Sequence, residues 1–271
     1  MESAEKTARL LMQVSGTLLN SLNSAIAASD LMARQLDQRS EPENAESFPK
    51  QLAMLRRSQF QMLRIADNMK TLAALELNHS YLTKQTVDLW QLCADLADAV
   101  RVLVPDAEIT VLPSSDTFLT FCDPDLIEKL LLNLIANSLR HCDEGGAIRI
   151  QLARNDDTLQ IIVADNGSGI PREALPTLFA DYLRDPDFSD AARGSGLGLS
   201  VAEAIAKAHG GSLVITGEPE HGAKAVFSLP HAWAGELRGS RGVYAGNSHM
   251  RMILEALSDV CDFHKFQSPF L

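Results

Sequence analysis

No histidine occurs in the first 78 residues of this 271-residue chain; the first is His79. That absence removes imidazole nucleophiles, bases and metal ligands from the N-terminal segment. No run of about 18 apolar residues occurs either, which argues against a membrane-spanning helix. The N-terminal stretch MESAEKTARLL is charged and lacks the apolar core of a signal peptide. The four cysteines, Cys93, Cys122, Cys142 and Cys261, lie far apart and form no C-x-x-C pair. Structural thiols in a reduced, cytoplasmic setting are therefore expected. No basic cluster stands out and the net charge is -11, so nucleic acid is not an expected partner. What remains is 46% apolar and 22% charged, an ordinary globular composition for one or two domains.

Small or apolar side chains recur at Leu11, Val14, Leu18, Leu22, Ala25, Ser29, Met32 and Leu36. Spacings of three and four predict a helix that packs on other helices. The charged stretch 37–49, with two prolines, reads as a turn. A second seam follows at Leu52, Leu55, Met62, Ile65, Met69 and Leu72. Two helices with one seam each make a hairpin over residues 1–79, and two copies joined through residues 5–78 would bury the seams in a four-helix bundle. The plainer alternative is a monomeric hairpin packed on the rest of the chain.

Residues 75–89 read as a linker. Beyond it the pattern predicts a helix near 88–103, strands near 108–112 and 117–121, and a helix from Asp123, its N-cap, through Pro124 to about His141. Strands 147–153 and 158–164 follow, joined by a hairpin turn. A polar, irregular segment 171–195 leads to a helix over 196–209 and two strands near 212–216 and 223–229. Helices with mostly antiparallel strands give an α+β sandwich over 80–230. Residues 231–271 form an appendage, either docked or partly ordered.

Two glycine clusters flank the polar segment: Asp165–Pro171 (DNGSGIP) after a strand, and Gly194–Ser200 (GSGLGLS) opening a helix. Such glycines let a backbone approach a ligand, and a helix N-terminus offers free N–H groups to an anion. Neither cluster is a Walker loop, because no Gly-Lys-Ser/Thr follows. Neither is a dinucleotide fingerprint, because no strand precedes Gly194. Asn133 and Asn137, four apart, share one face of an otherwise apolar helix. Buried amides need partners, and for an isolated Asn a backbone partner in the core is the ordinary explanation.

Together, these elements resemble the ATP-binding domain of sensor histidine kinases, of the GHKL or Bergerat type. Asn133 and Asn137 match the N box, DNGSGIP the first glycine box, Leu178-Phe179 the F box and GSGLGL the second glycine box. The resemblance covers roughly residues 86–230, and the upstream hairpin resembles the family's dimerisation domain. It implies ATP and Mg²⁺ as cofactors. Asn137 would ligate Mg²⁺, with Asn133 assisting. Asp165 would accept from the adenine amino group. Gly167, Gly169 and Ile170 would line the base, and Gly194, Gly196, Leu197 and Gly198 would face the phosphates. Arg140 and His141 match positions near the phosphates, although His141 fits a surface histidine equally well. Ala223 stands where many relatives carry a threonine behind the adenine.

One departure is chemical. The family's phosphoacceptor box usually reads Val-Ser-His-Glu-Leu-Arg-Thr-Pro-Leu-Asn. Here Val14-Ser15-Gly16-Thr17-Leu18-Leu19-Asn20-Ser21-Leu22-Asn23 stands in its place. Gly16 occupies the position of the phosphorylated histidine and Thr17 that of the carboxylate beside it. A glycine inside a helix also costs about 0.8–1 kcal/mol relative to alanine. The resemblance thus implies a dimeric, kinase-like signalling protein without its own acceptor, engaging a response regulator or a partner kinase. A protein kinase acting on another polypeptide is the alternative. A GHKL ATPase ranks last, because that class activates water with a glutamate where this helix carries Asn133, which cannot take a proton at neutral pH.

Overall fold

The computed structural model describes Ser21, Ser24, Ala25 and residues 47–77, 82–114, 118–142, 146–155, 157–171, 173, 197–217, 219–231 and 247–266. Ser21, Ser24 and Ala25 are helical, as the first seam requires. Gly16, Thr17, the F-box pair Leu178-Phe179, and Gly194 and Gly196 lie outside the described residues.

Helix α1 spans Ser47–Leu77. The predicted turn thus ends earlier than its second proline, because Pro49 sits in the first helical turn, where a missing N–H costs nothing. The predicted linker 75–89 also divides differently. The helix continues through Leu77, and Gln85–Asp88 forms strand β1, which pairs antiparallel with β3 (Leu119–Cys122). Thr86 and Val87 are β-branched and suit that pairing.

Helix α2 (Leu89–Leu103) starts where the Asp88 side chain accepts from the amides of Trp90 and Gln91. Its apolar stripe, Leu89, Leu92, Leu96 and Val100 among others, is buried. Strand β2 (Glu108–Val111) and β3 lead to helix α3 (Pro124–His141). As predicted, Asp123 caps α3, its Oδ1 accepting from Leu126 N at 3.1 Å with Pro124 next in line. The other carboxylate oxygen accepts from Thr83 N at 2.6 Å. Strands β4 (Ala147–Asn155) and β5 (Thr158–Asp165) form the expected hairpin. Helix α4 (Leu197–Ala208) precedes β6 (Ser212–Gly217) and β7 (Ala223–Pro230).

The main sheet runs β2-β4-β5-β7-β6, antiparallel except for the parallel β2–β4 pair. Its strands alternate: Ile148, Ile150, Leu159, Ile161, Val163 and Phe227 point into the core while their neighbours are half-buried or exposed. One apolar face needs one covering layer, and α2, α3 and α4 supply it. His209, just after α4, ties the layers together. Its Nε2 accepts from Asp123 N at 3.1 Å, so Nδ1–H donates to Ile205 O at 2.8 Å. That fixes a neutral tautomer, and burial lowers its pKa accordingly.

Residues 247–266 of the appendage are docked. Helix α5 (Asn247–Ala256) and a 3₁₀ turn (Phe263–Phe266) bury Ile253, Leu254, Leu257, Cys261 and Phe266 against α1, α2 and α3. Helix α1 also packs on α4. Its buried face is accordingly broader than the predicted seam. Ile65 and Leu72 are buried as expected, and Phe60, Arg64, Asn68 and Thr71 join them. Among the described residues no helix is long and apolar enough to cross a membrane.

Candidate functional site

The C-terminal half of α3, the end of β5 and the turn after it, the start of α4 and the start of β7 converge at one end of the sandwich. Asp165 is at their junction. Its Oδ1 accepts from Gly167 N at 3.0 Å and from Ala223 N at 2.9 Å, and its Oδ2 accepts from Ser138 Oγ at 2.7 Å. A carboxylate fixed by three donors on three elements cannot swing, yet it keeps lone pairs for a further donor. Ser138, buried in α3, is a site residue that the sequence reading missed. Its signal was a lone hydroxyl directly after Asn137 on an apolar helix.

The turn after β5 lies against the end of α3. Ser168 N donates to His141 O at 3.0 Å, and Asn166 exchanges hydrogen bonds with Ala147. A Cβ on Gly167 would run into that same His141 carbonyl, so only glycine permits this approach. It is the His141 carbonyl that meets the turn, while the residue itself is exposed. Gly169 and Ile170 continue the turn, half-buried, with Ile170 packed over Gly217.

Asn133 is 5% exposed, and its Nδ2 donates to Lys129 O at 3.0 Å, the within-helix partner expected of a core amide. Its Oδ1 faces α4, where a Cβ on Gly198 would come within 2.9 Å of it. Glycine at 198 therefore lets the first turn of α4, with Leu197 buried beside it, close onto α3. Asn137, one turn further along α3, is half-buried. The structure thus brings Asn133 against Gly198 and Asp165 against Gly167 and Ser138, with Asn137 on α3 between the two contacts.

Arg140 departs from expectation. Its Nη2 donates to Asp259 Oδ2 at 2.9 Å, so the appendage, not a phosphate position, holds its guanidinium. The physical reason is a tertiary one: the docked tail presents a carboxylate that its place in the sequence does not betray. Lys129 and Glu128, on the same helix, are engaged away from the candidate site. Lys129 pairs with Asp67 and donates to Thr71 Oγ1 at 2.6 Å, and burial lowers its pKa against the pull of Asp67. Glu128 pairs with His249, while burial raises its carboxyl above the usual range. Among the described residues no group of three or more His, Cys, Asp or Glu side chains is placed to hold a metal ion.

Residues 122–232 match the family model described as histidine kinase-, DNA gyrase B-, and HSP90-like ATPase. Over 123 residues the chain is 38% identical to the adaptive-response sensory kinase SasA of Synechococcus sp. (strain CC9902), which is 45% of this chain and 32% of that protein. Over 108 residues it is 40% identical to the signal transduction histidine-protein kinase AfsQ2 of Streptomyces coelicolor, 40% of this chain and 20% of that one. The match therefore spans a third or less of these two relatives. Two solved structures share the fold. Acinetobacter baumannii histidine kinase AdeS has a TM-score of 0.55 at 18% identity, covering 78% of this chain and 96% of that one. Full-length ShkA in complex with AMPPNP has a TM-score of 0.56 at 19% identity, covering 86% and 47%.

Proposed function

We propose that the chain is a homodimeric, kinase-like signalling protein of the sensor histidine kinase family that binds Mg-ATP but does not phosphorylate its own helical hairpin. The observation that carries the first half is Asp165, locked by Gly167, Ala223 and Ser138 with acceptor capacity left over. An adenine amino group is a donor of the right kind for it. The backbone N–H of Ala223 braces the carboxylate, although alanine offers no hydroxyl where many relatives carry threonine. Gly167, Gly169 and Ile170 would flank the base, and Gly194, Gly196, Leu197 and Gly198 would face the phosphates. His141 keeps its place at the edge through its carbonyl. Arg140 is left out of this set because Asp259 holds it.

When bound, ATP supplies an electrophilic γ-phosphoryl group whose charge Mg²⁺ offsets. Mg²⁺ keeps several waters and takes phosphate oxygens readily, so Asn137, with Asn133 behind it, would be the protein's share, since no carboxylate cluster is placed for it among the described residues. The second half of the proposal rests on Gly16 and Thr17. No nucleophilic imidazole stands in the acceptor box, and no histidine precedes His79 to replace it. A transferable phosphoryl group would therefore go to a partner protein, a response regulator or another kinase.

The test is incubation with γ-labelled ATP, alone and with candidate partners, beside titration with a non-hydrolysable analogue. The expected result is analogue binding with no label on the chain itself. Label on a partner would assign a protein kinase, release of inorganic phosphate without any partner would assign an ATPase, and no binding at millimolar analogue would refute the nucleotide reading.

The dimer is part of the same proposal. Leu55 and Met62, seven residues apart on α1, stay half-buried, which is the spacing another helix would fill, while Met69 packs against the chain's own core. Burying such surface is worth about 25 cal/mol per Å². Light scattering at micromolar concentration should give twice the chain mass of 29.5 kDa; the monomer mass would refute the dimer.

A further inference from the structure

Residues 247–266 touch two parts of the molecule at once. On one side they engage helix α1. Arg57 Nε donates to Ser258 O at 2.9 Å and its Nη2 to Asp259 O at 2.7 Å. Arg56 Nη1 donates to Phe266 O at 3.3 Å, and the Phe60 and Phe266 rings pack with centroids 5.5 Å apart. On the other side they engage the sandwich. His249 pairs with the buried Glu128 of α3, and Lys265 Nζ donates to Val102 O of α2 at 3.0 Å. Asp259 joins the two sides. One of its oxygens, Oδ2, receives both Arg64 of α1 and Arg140 of α3. The two guanidinium-bearing side chains are only 7% and 14% exposed, and that of Asp259 is 17% exposed.

We infer that residues 247–266 are a strap that fastens the ATP-binding sandwich in one fixed pose against helix α1, with Asp259 as its fastening. Charge balance gives the reason. Two buried guanidinium groups aimed at one point repel each other, and the shared carboxylate offsets that repulsion. Removing that charge weakens the junction, and the sandwich and α1 then rely on their direct contacts, such as Lys129 with Asp67 and Thr71 and the packing of α1 on α4. The strap therefore sets whether the sandwich can move along the hairpin, a motion any transfer from nucleotide to a helix-bound acceptor would need. The inference does not depend on nucleotide being bound, so its test uses none.

Hydrogen exchange read by mass spectrometry on the full chain decides it. Asp259→Asn keeps the shape and removes the charge. Arg57→Ala removes two hydrogen bonds to strap carbonyls and leaves Asp259 in place. The expected result in both variants is exchange faster by at least about tenfold in peptides of residues 57–71 and 247–266, with the β4–β5 hairpin (147–165) unchanged, the pattern of a sub-global opening. Faster exchange in 247–266 alone would overturn the proposal, since the segment would then be an appendage that fastens nothing. No change in either region would overturn it too. So would equal acceleration of the hairpin, or an Asp259→Asn chain that does not fold while Arg57→Ala behaves as the parent, because the segment would then be part of the sandwich core.

Discussion

Replacing Asp165 by Asn should weaken adenine nucleotide binding about 10- to 100-fold while leaving the fold in place. The structure makes this substitution unusually clean. Oδ1 accepts from two backbone amides, Gly167 N and Ala223 N. An asparagine carbonyl oxygen can take over both bonds, so the side chain must orient with its NH₂ where Oδ2 now stands. There it meets the Ser138 hydroxyl, which can rotate from donor to acceptor. The pocket stays satisfied, and only the polarity offered to the ligand reverses: a charged acceptor becomes a donor facing another donor. Losing a hydrogen bond to a charged group costs about 1.5–3 kcal/mol, which is one to two decades of affinity. Calorimetric titration with an ATP analogue, beside thermal unfolding of both proteins, checks it. Unchanged affinity would mean that Asp165 does not read the base.

The double change Gly16→His with Thr17→Glu should convert a chain that takes no label from γ-labelled ATP into one that does. The flanking Val14-Ser15, Leu18 and Leu22-Asn23 already match the acceptor box, so the two substitutions restore the nucleophile and the carboxylate that assists it. Histidine is also the better helix former than glycine by about a few tenths of a kcal/mol. The readout is acid-labile, base-stable phosphate on the double variant and none on the parent. Label on the parent would shift attention to Thr17 or Ser15. If a folded, nucleotide-binding double variant stays unlabelled, adding Asp259→Asn asks whether the strap is what keeps the sandwich from the helix.

The helices and strands of the sandwich follow closely from the sequence because each carries a local instruction. Asp123-Pro124 marks where α3 begins, and the alternation in 147–155 and 158–165 faces one side of the sheet inward. Two local features misled. Pro49 reads as a breaker although the first helical turn tolerates it, and the short strand β1 gives too weak a pattern to stand out from a linker, since its partner β3 lies 30 residues away. At the site, the glycine boxes and the paired amides of α3 were legible, because close backbone approach and buried amides restrict residue type. Ser138 was not, because a serine in a helix has many ordinary explanations until Asp165 is seen beside it.

The sequence by itself determined the run of helices and strands in the sandwich, which rests on residue type and spacing within a few turns of chain, while the candidate nucleotide residues and the glycine at the acceptor position, Gly16, were legible through the resemblance to the kinase motifs. Tertiary structure alone decided where Arg140 and the final segment go. Asp259 lies 119 residues from Arg140 and 195 from Arg64, and no local preference connects them. They meet because the tail buries Ile253, Leu257 and Phe266 against α1 and the sandwich helices, and once those apolar side chains leave water the charges beside them must find one another.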